Sequence, residues 1–147
     1  MAYEELDAKD RELVEAARDV MRRHYADDRH TVAAAVRTTT GKVYVGVDVE
    51  TTGYGPCAEP VAIGTAASQG EREFVSIVAV SGGDPALPVL APCGNCRQLL
   101  VDYAPDATVI LPQGGTLVKA RARDLLPLAY HRSGESATRR VIPPGSP

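Results

Sequence analysis

Tryptophan is absent from this 147-residue chain, phenylalanine occurs once, and only three cysteines are present. Few aromatics, with no Lys/Arg cluster between them, argue against a nucleic-acid surface, which needs a basic track and stacking platforms. The formal net charge of −3 points the same way. No apolar run approaches the ~20 residues of a membrane span. The opening stretch, MAYEELDAKDRELVEAARDV, is charged and helically periodic, unlike a secretory leader. A cytoplasmic protein in a reducing compartment is the expectation. Three is an odd number of cysteines, and a chain long enough for a real hydrophobic core has no need of a disulfide staple. Metal binding or catalysis therefore outranks cross-linking as their use.

What is present reads as one α/β domain over residues 1–131, followed by a polar tail at 132–147 rich in Pro, Gly and Ser. Residues 4–24 carry apolar positions at helical spacing. HTVAAAVRT (30–38) and KVYVGVDV (42–49) read as a β-hairpin around TTG. CAEPVAIGTAASQG (57–70) reads as a helix, and EREF (71–74) as a solvated turn. EFVSIVAVS (73–81) reads as a buried strand, and GGDPALPVLAP (82–92) as a loop. CGNCRQLLVDYA (93–104) reads as a helix with Leu99, Leu100 and Tyr103 inward. ATVILP (107–112) and TLVKA (116–120) are strands, and RARDLLPLAY (121–130) a short helix. Only QGG separates the last two strands. No helix fits there, so they must pair as an antiparallel hairpin. A mixed sheet of about five strands with helices on its faces follows.

The cysteines lie in PCAEP (56–60) and PCGNC (92–96). Both segments follow a loop and open a helix, where free backbone N–H groups and the positive end of the dipole favour thiolate. Two such helices side by side would gather Cys57, Cys93 and Cys96 around one Zn2+. The fourth tetrahedral position would stay open, as catalytic zinc requires. Glu59, in the same first turn as Cys57, is placed to shuttle protons there. Pro60 has no N–H and fits a first turn, which fixes the helix start near Cys57 or Ala58. The competing use is a closed structural zinc site in a module without turnover. That use needs a fourth Cys or His ligand, and no fourth Cys exists.

Cys57-Ala58-Glu59 followed by Pro92-Cys93-Gly94-Asn95-Cys96 resembles the signature of the cytidine deaminase family, in its three-cysteine, free-nucleoside branch. Within that family GPCAE, GTAAS and PCGNCRQLL look most like the blasticidin-S deaminases, which act on a cytosine-nucleoside antibiotic. The resemblance runs from about Thr31 to Tyr130. It implies a three-layer α/β deaminase fold with a five-stranded mixed sheet, and a homotetramer with active sites completed across subunits. It implies hydrolytic deamination of cytidine or deoxycytidine to the uridine nucleoside plus ammonia, with Glu59 as proton carrier. It also implies that the backbone N–H of Ala58 binds the ring carbonyl and the backbone carbonyl of Ala91 the amino group. The antiparallel final hairpin resembles free-nucleoside deaminases, since polynucleotide-editing relatives insert a helix there.

Two departures from the family pattern stand near the site. In cytidine deaminases an Asn and a Glu, two apart on the second strand, bind sugar hydroxyls; here Asp48 and Glu50 hold that spacing. Both also fit a solvated strand end. Pro60 stands where three-cysteine relatives carry an Arg that offsets the thiolate charge. Arg97, directly after Cys96, is the nearest replacement in sequence, and equally fits a surface helix. Tyr54, in the loop before Cys57, is a candidate for the pocket wall. Two substrate readings stay open: a free cytosine nucleoside, or blasticidin S or another modified aminopyrimidine.

Overall fold

The computed structural model describes residues 2–131, so the expected tail at 132–147 lies outside the described residues. Helix α1 (Ala8–His24) begins later than its periodicity predicts because Asp7 caps it. The Asp7 carboxylate accepts the Asp10 N–H at 2.9 Å, and the Asp10 carboxylate accepts the Asp7 N–H at 3.0 Å. This reciprocal box satisfies two amides that a bare helix end leaves without partners. Strands β1 (Val32–Thr38) and β2 (Val43–Val47) form the expected hairpin. Helix α2 (Ala58–Ser68) and strand β3 (Phe74–Ser81) follow. After them come a two-residue strand β4 (Val89–Leu90), helix α3 (Gly94–Tyr103), and strands β5 (Thr108–Gln113) and β6 (Thr116–Arg121).

The sheet runs in the order β2-β1-β3-β5-β6. β3 and β5 are parallel, whereas β1–β2, β1–β3 and β5–β6 are antiparallel. The final hairpin thus has the predicted sense. Strand β4 was not expected inside the Pro/Gly-rich loop. It pairs with Ala79 and Val80 of β3, beyond the point where β5 pairs with Ser76 and Ile77. It therefore completes the edge of β3 that β5 leaves open, and it leads straight into Cys93.

Alternation along the central strands divides the core into two layers. Ala33, Ala35, Val78, Val80 and Ile110 pack against α1 through Leu13, Val14, Ala17 and Met21. Ala34, Val36, Ile77, Ala79 and Val109 pack against α2 and α3 through Ala62, Ile63, Ala66 and Leu100. Fully burying a side chain such as Leu13 or Leu100 is worth about 1.5–3 kcal/mol. At Gly46 a Cβ would stand 2.5 Å from the backbone nitrogen of Ala62, so glycine is what lets α2 lie directly on β2.

Three local expectations are corrected. The segment 121–130 is only a 3-10 turn, Ala122–Leu125, which Pro127 helps to end. Tyr103 faces solvent at the last turn of α3, while Leu100 is buried. Glu71 is buried rather than solvated. Its Oε2 accepts the hydroxyls of Thr40 at 2.6 Å, Thr38 at 2.7 Å and Tyr44 at 3.3 Å, tying the end of α2 to the β1–β2 hairpin.

Candidate functional site

The heads of α2 and α3 meet at one end of the sheet. Cys57 is the N-cap of α2 and Cys93 the N-cap of α3, both in extended backbone, and neither side chain makes a capping bond. Their sulfurs stay free to face each other, 3.7 Å apart. Cys96 sits one turn into α3, so helical periodicity brings it back to the same face as Cys93. All three sulfurs lie within 4.8 Å of one another. Sulfurs bound tetrahedrally to zinc at ~2.3 Å stand ~3.8 Å apart, whereas a disulfide needs ~2.05 Å. The geometry therefore fits zinc and not a cross-link. Among the described residues no other such group of His, Cys, Asp or Glu gathers.

Without metal the three thiols differ. Burial pushes the Cys57 thiol up, aided by the neighbouring Cys93. Burial and then the charge of Glu59 push Cys96 up further. Burial also opposes ionisation of Cys93, but the Cys96 N–H and thiol, the Cys57 thiol and the Asn95 N–H outweigh it and hold Cys93 below the usual thiol range. Cys93 is the first candidate thiolate, and metal uptake must release protons from its two companions.

Glu59 follows Cys57 by two positions and is only 6% exposed. Burial, with a smaller push from the charge of Asp48, holds its carboxyl above the usual carboxylate range. Its own backbone N–H and the Cys96 thiol oppose that shift. A carboxyl poised this way exchanges a proton nearer to neutral pH than an exposed one. Pro60 occupies the third helical position, where its missing N–H leaves no acceptor unpaired.

An open cleft of about 1070 Å³ leads down to these groups. Its walls hold Cys57, Ala58, Glu59, Ala91 and Cys93 together with Asp48 and Glu50. The sequence-derived candidates thus converge, with two exceptions. Tyr54 is 84% exposed and stands outside the walls, although its neighbours Gly53 and Gly55 line them. Arg97 does not line the cleft. Its guanidinium donates to the carbonyls of Pro92 at 2.9 Å and Leu125 at 3.2 Å, bracing the loop that carries Cys93 against the C-terminal turn.

Asp48 is buried, and its carboxylate accepts the backbone N–H groups of Thr31 at 2.7 Å and Val32 at 2.9 Å. Glu50 is exposed at the rim. Sequence reasoning did not single out Asp28, Arg29, Val32, Thr51, Thr52 and Leu90, which also line the cleft. Asp28 takes a left-handed φ of 59° in the turn that joins α1 to β1. A D-D-R run beside a strand start is a turn signal, but nothing in it says that the turn bends over a cleft.

The region from residue 7 to 111 matches the family model "Cytidine and deoxycytidylate deaminase zinc-binding region". The chain is 42% identical over 132 residues to blasticidin-S deaminase of Bacillus cereus, covering 85% of this chain and 94% of that protein. It is 35% identical over 106 residues to cytidine deaminase of Halalkalibacterium halodurans, covering 69% of this chain and 78% of the relative. The crystal structure of cytidine deaminase from Burkholderia pseudomallei superposes with a TM-score of 0.67 at 35% identity, over 82% of this chain and 98% of the other. That from Mycobacterium tuberculosis gives 0.70 at 28% identity, over 85% and 99%.

Proposed function

The chain belongs to the cytidine and deoxycytidylate deaminase family and is a zinc-dependent hydrolytic deaminase; from that premise we propose that it acts on a free cytosine nucleoside, releasing ammonia and the uracil nucleoside. The observation that carries this reading is the placement of a buried Glu59 beside three sulfurs at zinc spacing, in a cleft that an exposed Glu50 also lines.

Cys57, Cys93 and Cys96 would hold the zinc, whose Lewis acidity makes a water reactive near neutral pH. The cytosine ring enters amino edge first. The N–H of Ala58, at the head of α2, has no acceptor within its own helix and is available to the ring carbonyl. The carbonyl of Ala91, two residues before Cys93 on the cleft wall, is available to the amino group. Glu59 takes a proton from the attacking water and places it on ring nitrogen 3 as the carbon 4–oxygen bond forms. As the carbon 4–nitrogen bond breaks, Glu59 carries the second proton to the departing amine. One water is consumed and one ammonia leaves. Glu50 accepts from a sugar hydroxyl at the rim.

A second reading is deamination of blasticidin S or a related aminopyrimidine, favoured by the 42% identity to a blasticidin-S deaminase across most of its length. The family resemblance also supports a cytoplasmic homotetramer with shared active sites, testable by light scattering. Among the described residues no helix is long and apolar enough to cross a membrane. Ammonia release from cytidine, deoxycytidine, cytosine and blasticidin S separates the substrate readings. The highest kcat/KM is expected with the two cytosine nucleosides. A preference for blasticidin S selects the second reading, and zinc-loaded protein that releases ammonia from none of the four overturns both.

A further inference from the structure

The three sulfurs are not restrained equally. Cys96 is buried and Cys57 half-buried, so packing limits where they go, but Cys93 is exposed. No packed shell fixes the direction of its side chain. That direction depends on the two peptide groups that flank its Cα, and one residue holds both. The Arg97 backbone N–H donates to the Cys93 carbonyl at 2.9 Å, and the Arg97 Nε–H donates to the Pro92 carbonyl at 2.9 Å. The same guanidinium reaches outward through Nη1 to the Leu125 carbonyl at 3.2 Å.

Leu125 is a firm anchor. Its side chain is buried in the cluster that also holds Leu100 and Ala104. The segment around it returns along α3. Just past the C-terminal end of that helix, the Ala122 N–H donates to the Ala107 carbonyl at 2.8 Å and the Arg123 N–H to the Pro105 carbonyl at 3.1 Å. Toward the helix head, Leu125 meets Arg97, and Gln98 Nε2 donates to the Tyr130 carbonyl at 3.0 Å.

We propose that Arg97 is a positioning residue for the zinc ligand Cys93: its guanidinium ties the peptide before Cys93 to the buried Leu125 anchor and so keeps the sulfur where the metal needs it. This rests on the assignment of the three cysteines as zinc ligands, not on the choice of substrate. Nε and Nη1 are committed to carbonyls, so Arg97 acts through the backbone rather than by neutralising a thiolate. Arginine suits the task because its donors sit on one rigid plane and reach acceptors on two separate segments. A lysine ammonium places its donors at a single point on a flexible stem, and cannot hold both carbonyls in that fixed geometry. Groups that orient a metal ligand are typically worth about 10–100-fold in metal affinity.

The experiment measures zinc affinity by competition with a chromophoric chelator, and zinc release into excess chelator. The proteins are wild type, Arg97→Met, Arg97→Lys, Gln98→Met and Cys93→Ala, each first checked by circular dichroism without zinc. Arg97→Met should weaken zinc binding by roughly 10–100-fold, with faster release. Arg97→Lys should regain part of that loss but not all of it. Gln98→Met frees the same segment without touching the peptides of Cys93, and should bind zinc within about twofold of wild type. Three outcomes overturn the inference alone. One is an Arg97→Met protein that loses thermal stability or nothing at all, while its zinc affinity stays that of wild type and Cys93→Ala loses the metal. Another is full rescue by Arg97→Lys, which would make charge and not the two-carbonyl bridge the cause. The third is a loss in Gln98→Met as large as that in Arg97→Met. If Arg97→Met does not fold, Arg97→Lys carries the test: its zinc affinity must fall below that of wild type, and an equal affinity overturns the inference. If Cys93→Ala keeps its zinc, the ligand assignment itself falls, and the role of Arg97 falls with it.

Discussion

The sulfurs of Cys57 and Cys93 stand 3.7 Å apart across 36 residues of chain. Neither belongs to a disulfide, and Cys96 completes the triangle. Zinc analysis of purified protein should find a single ion per chain, and Cys93→Ala should lose it. Because the ion binds the folded site, zinc at about 100 times its Kd should add about 2.7 kcal/mol to stability and raise Tm accordingly. Full zinc retention by Cys93→Ala would contradict the assignment of the ligands.

Glu59→Gln should keep the fold and the zinc but lower kcat by about 10²–10⁴-fold, the usual worth of a positioned general acid–base. Burial already disfavours the Glu59 carboxylate, so the change should not lower the Tm of zinc-free protein near neutral pH. Turnover close to wild type would remove Glu59 from the chemistry.

Glu71 gives the fold a pH dependence of definite sign. Hydrogen bonds from Thr40 and then Thr38 hold its carboxyl below the ordinary 4.5. Between the folded value and 4.5 the unfolded chain binds more protons, so stability falls as pH falls. The contribution is complete above 4.5 and is gone once pH passes below the folded value. Thermal unfolding should therefore show Glu71→Gln less stable than wild type at about pH 7, with the difference shrinking by about pH 3. A constant difference across that range would show that Glu71 acts by packing alone.

Gly46→Ala should destabilise by about 1–3 kcal/mol, since the new methyl would meet the backbone of α2 at 2.5 Å. The displaced helix carries Cys57 and Glu59 at its head, so zinc affinity should weaken as well. Denaturant unfolding and a zinc competition titration read the two effects separately. A stable variant with normal zinc affinity would mean that α2 can lift off β2 without moving its head.

Much of the site was legible because the chemistry is local. Two Pro-Cys segments, each opening a helix, specify where the sulfurs and Glu59 stand, and the short QGG turn specifies the last hairpin. What was not legible depends on long-range contacts. Strand β4 exists because β3 has an unpaired edge beyond β5, and nothing in VL itself announces that. Glu71 reads as a surface residue until three hydroxyls from a hairpin some thirty positions earlier converge on it. Asp48 and Glu50 look equivalent as letters two apart. Burial separates them, giving Asp48 to the backbone of β1 and leaving Glu50 at the rim. Tyr103 fits an inward stripe by spacing, but it is the last residue of α3 and stays exposed.

Between Cys57 and Cys93 the chain forms α2, passes through the middle of the sheet as β3, and turns back as β4. Cys57 and Cys93 are 36 residues apart, so closing that loop is expected to come after the local elements form. An ion that binds a late-formed contact leaves the folding rate nearly unchanged and slows unfolding instead. Loading thus acts as a latch on a completed molecule rather than as a seed for it, and the lifetime of the folded chain becomes tied to the residence time of its metal.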